Sequence, residues 1–241
     1  MEDNKRISGE EKKAAVSSMF DSIAHSYDFL NHFLSFGIDR IWRKKAIKII
    51  SLAYTNPRIL DVAAGTGDLS IAAIRLDPRH ITGIDISSKM LEIGKDKIRR
   101  KGYEGKIELI EGDSERIPFN DNSFDVAMVA FGVRNFSDPL KGLSEMRRVV
   151  RHNGMVLVLE FSKPVNFPFK QFYNFYFLNI LPLVGRIFSK NARAYTYLPE
   201  SVMQFPDNEL FIDLMAKAGL EEARQTKLTG GVASIYTGLK R

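Results

Sequence analysis

The chain has 241 residues, of which 44% are hydrophobic and 27% are charged, the composition of a globular protein with one α/β domain and some additions. It contains no cysteine, which excludes structural disulfides, thiolate zinc sites and a cysteine nucleophile. Residues 1–13 mix acids with lysines, and no apolar run approaches the roughly 20 residues that span a bilayer. We therefore expect a cytoplasmic protein, with a mature form whose signal has been removed as the alternative. The net charge of +6 permits an anionic partner without requiring one.

The predicted elements begin with a helical leader or cap over residues 1–51, and the main domain follows over 52–241. Short apolar runs alternate there with segments of helical periodicity. The runs that predict strands are 58–63, 81–86, 107–111, 124–131 and 155–161, and the helical segments between them are 69–76, 89–101 and 140–150. Alternation at this spacing indicates βαβ units and a parallel sheet with helices on both faces.

The end of the chain follows a different pattern. Residues 207–218 predict a helix, and 222–227 and 232–239 predict two strands around Gly230-Gly231, which is a hairpin signal. A mostly parallel sheet closed by a C-terminal antiparallel hairpin is the Rossmann-like, seven-stranded arrangement of class I methyltransferases.

Residues 162–199, here named the lid segment, interrupt this pattern. The stretch 161–188 holds nine aromatic residues: Phe161, Phe167, Phe169, Phe172, Tyr173, Phe175, Tyr176, Phe177 and Phe188. Cations flank it at Lys163, Lys170, Arg186, Lys190 and Arg193. An insertion this long within a compact domain is usually functional, so we interpret it as an amphipathic lid, with plain core packing as the alternative.

The strongest local signal is ILDVAAGTGD at 59–68. A buried strand ends at Asp61, and Gly65 and Gly67 then permit a tight turn that a ligand can approach closely. Asp85 ends the second strand, where a carboxylate can accept hydrogen bonds from ribose hydroxyls. These positions predict a nucleoside-binding site at the carboxyl edge of the sheet.

The cofactor is predicted from charge. Dinucleotide-binding domains share the glycine turn, but here Ser70 replaces their third glycine and Asp68 begins the next helix. A carboxylate at that helix end repels a pyrophosphate. S-adenosylmethionine carries no phosphate and has two cationic groups, so Asp61 and Asp68 favour it over NAD.

A further acidic position, Asp113, follows the third predicted strand. It can accept a hydrogen bond from the adenine amino group, and Ser114 can offer a backbone donor to the ring. For the neighbouring Glu111 alone, a solvated turn is the better interpretation.

Two longer pieces carry a more specific resemblance: FGVRN at 131–135 and LEFSKP at 159–164. With the leader residues at 20–24, 27–28, 31, 35–37 and 42–43, they resemble the ubiquinone/menaquinone-biosynthesis C-methyltransferase family over nearly the whole chain. The resemblance implies that Thr66, Asp85, Asp113 and Ser114 contact S-adenosylmethionine. Some members have a serine where this chain has Ala130, so a hydroxyl contact is lost there.

The resemblance also implies methyl transfer to a ring carbon of a prenylated hydroquinone. Demethylmenaquinol is the favoured acceptor, and a polyprenyl-benzoquinol of ubiquinone synthesis is the alternative. The lid segment then receives the isoprenoid tail, and peripheral contact with the inner face of the membrane and a homodimer are both compatible with this interpretation.

The acceptor carbon becomes nucleophilic when a neighbouring hydroxyl ionises. Lowering a phenol pKa from about 10 to about 7 takes about 4 kcal/mol, which one desolvated arginine can supply. We hypothesise that Arg134 does this, that Asn135 holds the ring, and that Tyr27 and Asp28 relay the proton. The chemistry requires no metal.

Simpler interpretations remain for these residues: a surface salt bridge from Arg134 to Asp138, and a half-buried Tyr27. His25 lies near Tyr27 and is an alternative base. For the whole protein, the alternatives are an RNA methyltransferase, suggested by the cations at 95–101, and a non-catalytic cofactor-binding scaffold. We regard 95–101 as a solvated helix face and expect no nucleic-acid partner.

Overall fold

A computed structural model describes residues 9–35, 37–175, 179 and 192–241. Seven strands form one sheet in the order β3-β2-β1-β4-β5-β7-β6. Their bounds are β1 Arg58–Val62, β2 His80–Asp85, β3 Ile107–Glu111, β4 Phe124–Ala130, β5 Val150–Phe161, β6 Glu221–Leu228 and β7 Ala233–Leu239. The first five are parallel, and β7 is antiparallel to both of its neighbours. The predicted fold class, including the C-terminal hairpin, is confirmed.

Eight α-helices are described. They are α1 Gly9–Leu34, α2 Ile38–Ala53, α3 Asp68–Ala73, α4 Ser88–Arg100, α5 Pro139–Val149, α6 Phe169–Phe175, α7 Ala192–Gln204 and α8 Glu209–Lys217. Short 3₁₀ turns follow α3, precede α5 and connect β6 to β7. Within the described ranges, no helix combines the length and the apolar character needed to cross a membrane.

The core lies on both faces of the sheet. One face packs against α2, α3 and α4, and the other packs against α5 and α8. In α2 the buried apolar residues Trp42, Ala46, Ile47 and Ile50 recur at helical spacing and belong to the first of these two clusters. The second half of the predicted leader therefore packs directly on the sheet.

The largest difference from the predicted elements is in β5. The sequence predicted a helix to residue 150 and a strand from residue 155, whereas the strand begins at Val150. Pairing with β4 moves from Phe124 opposite Val150 to Val126 opposite Met155, so a bulge takes up the polar residues between them. The bulged residues have no alternating apolar pattern, so the sequence did not predict the first part of this strand.

The lid segment is described in part. It contains α6 and most of α7, which continues past Pro199 as far as Gln204. Tyr176, Phe177, Arg186, Phe188 and Lys190 lie outside the described residues. The prediction of a lid over 162–199 therefore stays a prediction.

Candidate active site

A cleft opens at the carboxyl edge of the sheet, between the ends of β1, β2 and β4 and helix α1. It consists of two adjoining cavities, a larger one and a smaller one. Both are lined by Tyr27, Ala63, Gly65, Ala130 and Phe131. The larger cavity extends toward β2 and β3, and the smaller one ends at Asp61 and Asp68. The two share five lining residues and so form one continuous cleft of apolar and polar side chains, as small-molecule sites are.

The glycine turn forms the floor of this cleft. Gly65 and Gly67 have φ values of 55° and 78°, a conformation that residues with a Cβ rarely adopt. Both glycines thus form the predicted tight turn, and the close approach of a ligand to it stays a prediction. Thr66, between them, lines the smaller cavity and donates a 2.5 Å hydrogen bond to Asp28.

Asp61 lies at the end of the smaller cavity and is 1% exposed. Burial raises its pKa to about 7, although the Ser70 hydroxyl donates to the carboxylate at 2.6 Å. Ser70, which stands where dinucleotide-binding domains have their third glycine, thus holds the Asp61 carboxylate in place. Asp68 lines the same cavity but is 2.6 Å from the Lys97 ammonium and 3.6 Å from the Arg43 guanidinium, so Asp61 is the carboxylate at this end that is best placed for a cationic ligand group.

Asp85 lies in the wall of the larger cavity, where a ribose-binding carboxylate was predicted. It accepts the backbone N–H groups of Gly65 at 2.8 Å and of Ser87 at 2.9 Å. Burial raises its pKa, and these backbone hydrogen bonds oppose that rise. The carboxylate therefore also ties the glycine turn to the end of β2.

Asp113 and Ser114 line the far end of the larger cavity, as predicted for an adenine site. One oxygen of Asp113 accepts the Glu115 N–H at 2.8 Å, and the other is 2.7 Å from the ammonium group of Lys13. Lys13 also lies 3.1 Å from the Glu115 carboxylate. Lys13 of α1 thus neutralises the carboxylate that was predicted to accept a hydrogen bond from the adenine amino group.

Helix α1 covers the cleft. Val16, Phe20 and Tyr27 lie on its inner side and line the larger cavity. The rings of Phe20 and Tyr27 meet edge to face at 5.8 Å. His25 is exposed and is not among the lining residues. Tyr27 is therefore the residue of this pair that the structure brings to the site.

Asp28 contacts the glycine turn and helix α4. Its carboxylate accepts from Thr66 and is 2.6 Å from the ammonium group of Lys97, which is also 2.6 Å from Asp68. It lines a separate cavity behind the glycine turn and neither cavity of the cleft. The relay from Tyr27 to Asp28 therefore stays a prediction, and the contacts of Asp28 fasten α1 to the cofactor turn.

The FGVRN piece forms the turn after β4. Asn135 lines the larger cavity, but Arg134 lines neither cavity of the cleft. The Arg134 side chain is 7% exposed and donates a 2.7 Å hydrogen bond to Glu160, which is fully buried. The surface salt bridge to Asp138 is wrong, because Asp138 caps α5 by accepting the Lys141 N–H. Arg134, which was predicted to stabilise the ionised acceptor, is thus paired with Glu160 in a buried ion pair.

Four residues escaped the sequence interpretation: Lys13, Phe20, Glu160 and Tyr197. Glu160 stands within LEFSKP, and a carboxylate in an otherwise buried apolar strand signals a buried partner. Phe20 stands in the leader piece that carried the resemblance. Lys13 and Tyr197 reach the site only through tertiary packing, and their positions carried no local signal.

Ala130 ends β4 and lies where the two cavities meet. A serine here would place its hydroxyl in the cleft, and the alanine offers only a methyl group. Among the described residues, no three His, Cys, Asp or Glu side chains come together in a group that could hold a metal ion.

The strand order, the glycine turn and the match to a methyltransferase family define the class: this is an S-adenosylmethionine-dependent methyltransferase. A SAM-dependent methyltransferase structure from Aquifex aeolicus has the same fold, with a TM-score of 0.60, 17% identity, and coverage of 82% of this chain and 89% of the other. The profile of the ubiE/COQ5 methyltransferase family matches residues 6–240, and the chain belongs to this family.

Relatives are similar along their whole length. The ubiquinone/menaquinone biosynthesis C-methyltransferase UbiE of Geotalea daltonii is 50% identical, over 95% of this chain and 98% of the relative. The demethylmenaquinone methyltransferase of Porphyromonas gingivalis is 46% identical, over 95% of this chain and 94% of the relative.

Proposed function

We propose that this protein methylates a ring carbon of a prenylated hydroquinone, and that its acceptor is demethylmenaquinol. The observation that carries the proposal is the larger cavity, whose wall combines the aromatic rings of Phe20, Tyr27 and Phe131 with the amide of Asn135. Aromatic rings beside an amide suit a quinol ring, and the carboxylates at the far end of the same cavity are left to the nucleoside of the methyl donor. The names of the two relatives support this acceptor class, and one of them is a demethylmenaquinone methyltransferase.

The residues of the chain divide the work between the two substrates. Asp61 and Asp68 hold the cationic end of the methyl donor, and Asp85, Asp113 and Ser114 hold its nucleoside. The donor supplies an electrophilic methyl group on a sulfonium. Helix α1 excludes water, which strengthens hydrogen bonds and charge interactions within the cleft. Fixing two substrates in this geometry accounts for a large part of the rate enhancement.

Asn135 is the polar group best placed for the acceptor. Its amide NH₂ group can donate a hydrogen bond to the ionised quinol oxygen, which favours the phenolate and so the carbon nucleophile. Tyr27, on the opposite wall, is our candidate for passing the proton toward solvent. Arg134, paired with Glu160, supports the turn that carries Asn135 and does not contact the acceptor directly.

A direct assay tests the acceptor. The purified protein is given S-adenosylmethionine with reduced short-chain demethylmenaquinone, a reduced benzoquinone analogue, or RNA. We expect methylation of the naphthoquinol, with the ring position identified by mass spectrometry and NMR. Turnover of the benzoquinol alone would move the acceptor to ubiquinone synthesis, and methylation of RNA alone would refute the proposal.

We also propose that the lid segment contacts the membrane in which such an acceptor dissolves. Large apolar side chains are exposed there at Val165 (63%), Phe167 (80%), Phe169 (45%) and Phe175 (59%). Apolar surface concentrated in this way is typical of an interaction site.

Vesicle flotation tests this contact. Phe167→Ser should weaken binding, whereas Leu52→Ser, which removes an equally exposed (80%) apolar side chain at the other edge of the sheet, should leave it unchanged. Equal losses in both variants would contradict the proposal. Stable dimers in solution that Phe167→Ser dissociates would assign this surface to a second copy of the chain.

A further inference from the structure

The orientation of the Asn135 amide decides whether the larger cavity presents a donor or an acceptor. The oxygen and the NH₂ group of an asparagine side chain have nearly the same shape, so their positions are set by hydrogen-bond partners. An ionised quinol oxygen only accepts hydrogen bonds. It is stabilised by the NH₂ group and repelled by the amide oxygen.

Two partners set this orientation together: the Tyr197 hydroxyl on α7, which can donate or accept, and the Phe131 carbonyl oxygen, which only accepts. The Tyr197 hydroxyl donates to Asn135 Oδ1 at 3.0 Å. Burial raises the pKa of Tyr197, an effect that Arg134 opposes and Glu160 supports, so the hydroxyl remains a donor at neutral pH. On the other side of the amide, Asn135 Nδ2 is 3.5 Å from the Phe131 carbonyl oxygen, which is at most a weak hydrogen bond.

We propose that Tyr197 is a positioning residue that holds the Asn135 amide with its NH₂ group available to the acceptor oxygen. The inference rests on the proposed function, because it requires an acceptor that ionises. Tyr197 does not line either cavity of the cleft, so it acts through Asn135. The hydrogen bond from Tyr197 also brings α7, at the C-terminal end of the lid segment, into contact with the turn that carries Asn135.

Steady-state kinetics test the inference on the full chain. Removing the hydroxyl in Tyr197→Phe keeps the ring and should lower kcat about tenfold, the effect of one lost hydrogen bond of about 1.4 kcal/mol. The affinity for S-adenosylhomocysteine should not change. Asn135→Ala should lower kcat by about 100-fold, as loss of one donor to a developing oxyanion does.

The double variant separates positioning from packing. If Tyr197 acts through Asn135, the Tyr197→Phe change should have no further effect on kcat in the Asn135→Ala background. The inference would be overturned if the kcat losses of the two single variants multiplied in the double variant. It would also be overturned if Tyr197→Phe had the kcat of the wild type. Tyr54→Phe is the matched control, because the Tyr54 hydroxyl donates to the Asn153 carbonyl at 2.6 Å at the opposite edge of the sheet.

A binding measurement gives a readout without turnover. The probe is 2-hydroxy-1,4-naphthoquinone, which binds as an anion, compared with unsubstituted 1,4-naphthoquinone, both in the presence of S-adenosylhomocysteine. Tyr197→Phe should bind the anion about tenfold more weakly and the neutral quinone unchanged. Equal weakening of both overturns the inference. Wild-type protein that methylates no quinol refutes the proposed function itself, whereas an active wild type with a fully active Tyr197→Phe refutes only the role of Tyr197.

Discussion

Asp61 is buried, yet it must be negatively charged to attract a cationic ligand. Its pKa of about 7 in the ligand-free protein means that both protonation states are populated near neutral pH. A bound cation stabilises the carboxylate and lowers this pKa, so binding releases a proton below pH 7. The affinity for S-adenosylmethionine should therefore fall, by up to about tenfold per pH unit, as the pH drops below about 7.

Titration calorimetry at several pH values measures this dependence. The Asp61→Asn variant is the control: it should bind S-adenosylmethionine weakly and should lose the pH dependence. An affinity of the wild-type protein that stays constant through this pH range would show that Asp61 does not sense the ligand charge.

The same pKa makes a prediction about stability. A carboxyl group whose pKa is higher in the folded than in the unfolded protein stabilises the fold when it is protonated. Its contribution is complete below the unfolded pKa of about 4 and is lost as the pH rises through about 7. At about pH 8, Asp61→Asn should therefore raise the free energy of unfolding of the ligand-free protein by roughly 1–3 kcal/mol.

Thermal unfolding without ligand measures this change. The asparagine side chain of the variant would still accept the Ser70 hydroxyl hydrogen bond, so the gain reflects the removed charge. A lower melting temperature for Asp61→Asn at that pH would contradict the assigned direction of the pKa shift.

At the scale of elements, helix α1 is fastened to the domain by polar contacts at both of its ends. Lys13 binds Asp113 near the first end, and Asp28 binds Lys97 and Thr66 near the other. Since α1 covers the cleft, these contacts must open when the methyl donor enters. We expect S-adenosylhomocysteine to slow hydrogen exchange in α1, because the ligand stabilises the covered state.

Lys97→Ala tests the second contact, because one ammonium group serves Asp28, Thr66 and Asp68 together. It should speed hydrogen exchange near the end of α1 and weaken the binding of S-adenosylhomocysteine several-fold. The matched control is Lys95→Ala, because Lys95 is an exposed lysine of α4, the helix that also carries Lys97. Unchanged exchange in Lys97→Ala would show that the ion pair does not hold α1.

The features that were predicted correctly from the sequence depend on residues close to one another along the chain. Strands β1 to β4 are short segments rich in apolar residues, and the turn at Gly65 needs a backbone conformation that glycine adopts more readily than other residues. The partners of Asp28 and Arg134 depend on which elements become neighbours. Lys97 lies 69 positions from Asp28, and Glu160 lies 26 positions from Arg134. A pattern within one segment cannot identify such pairs, so the roles assigned to both residues needed the fold.

At the scale of the molecule, the positive charge is unevenly distributed. The outward face of α2 exposes Arg40, Lys44, Lys45 and Lys48, and the acidic residue of this helix, Asp39, is buried. The Trp42 ring packs against Phe161 at 6.1 Å, so α2 begins beside the base of the lid segment. A cationic helix face beside exposed apolar side chains is the combination that binds an anionic membrane surface.

Charge reversal tests whether α2 shares in that contact. Lys44→Glu combined with Lys48→Glu should weaken binding to anionic vesicles by about tenfold or more, since each lysine near such a surface contributes about 1 kcal/mol. The defect should shrink at high salt, and kcat with a short-chain quinol that needs no membrane should be unchanged. Lys217→Glu combined with Arg224→Glu makes the same change in net charge on α8 and β6, and should leave vesicle binding close to that of wild type. Equal losses in the two double variants would mean that net charge alone attracts the protein to the membrane, and that neither α2 nor the lid segment sets its orientation there.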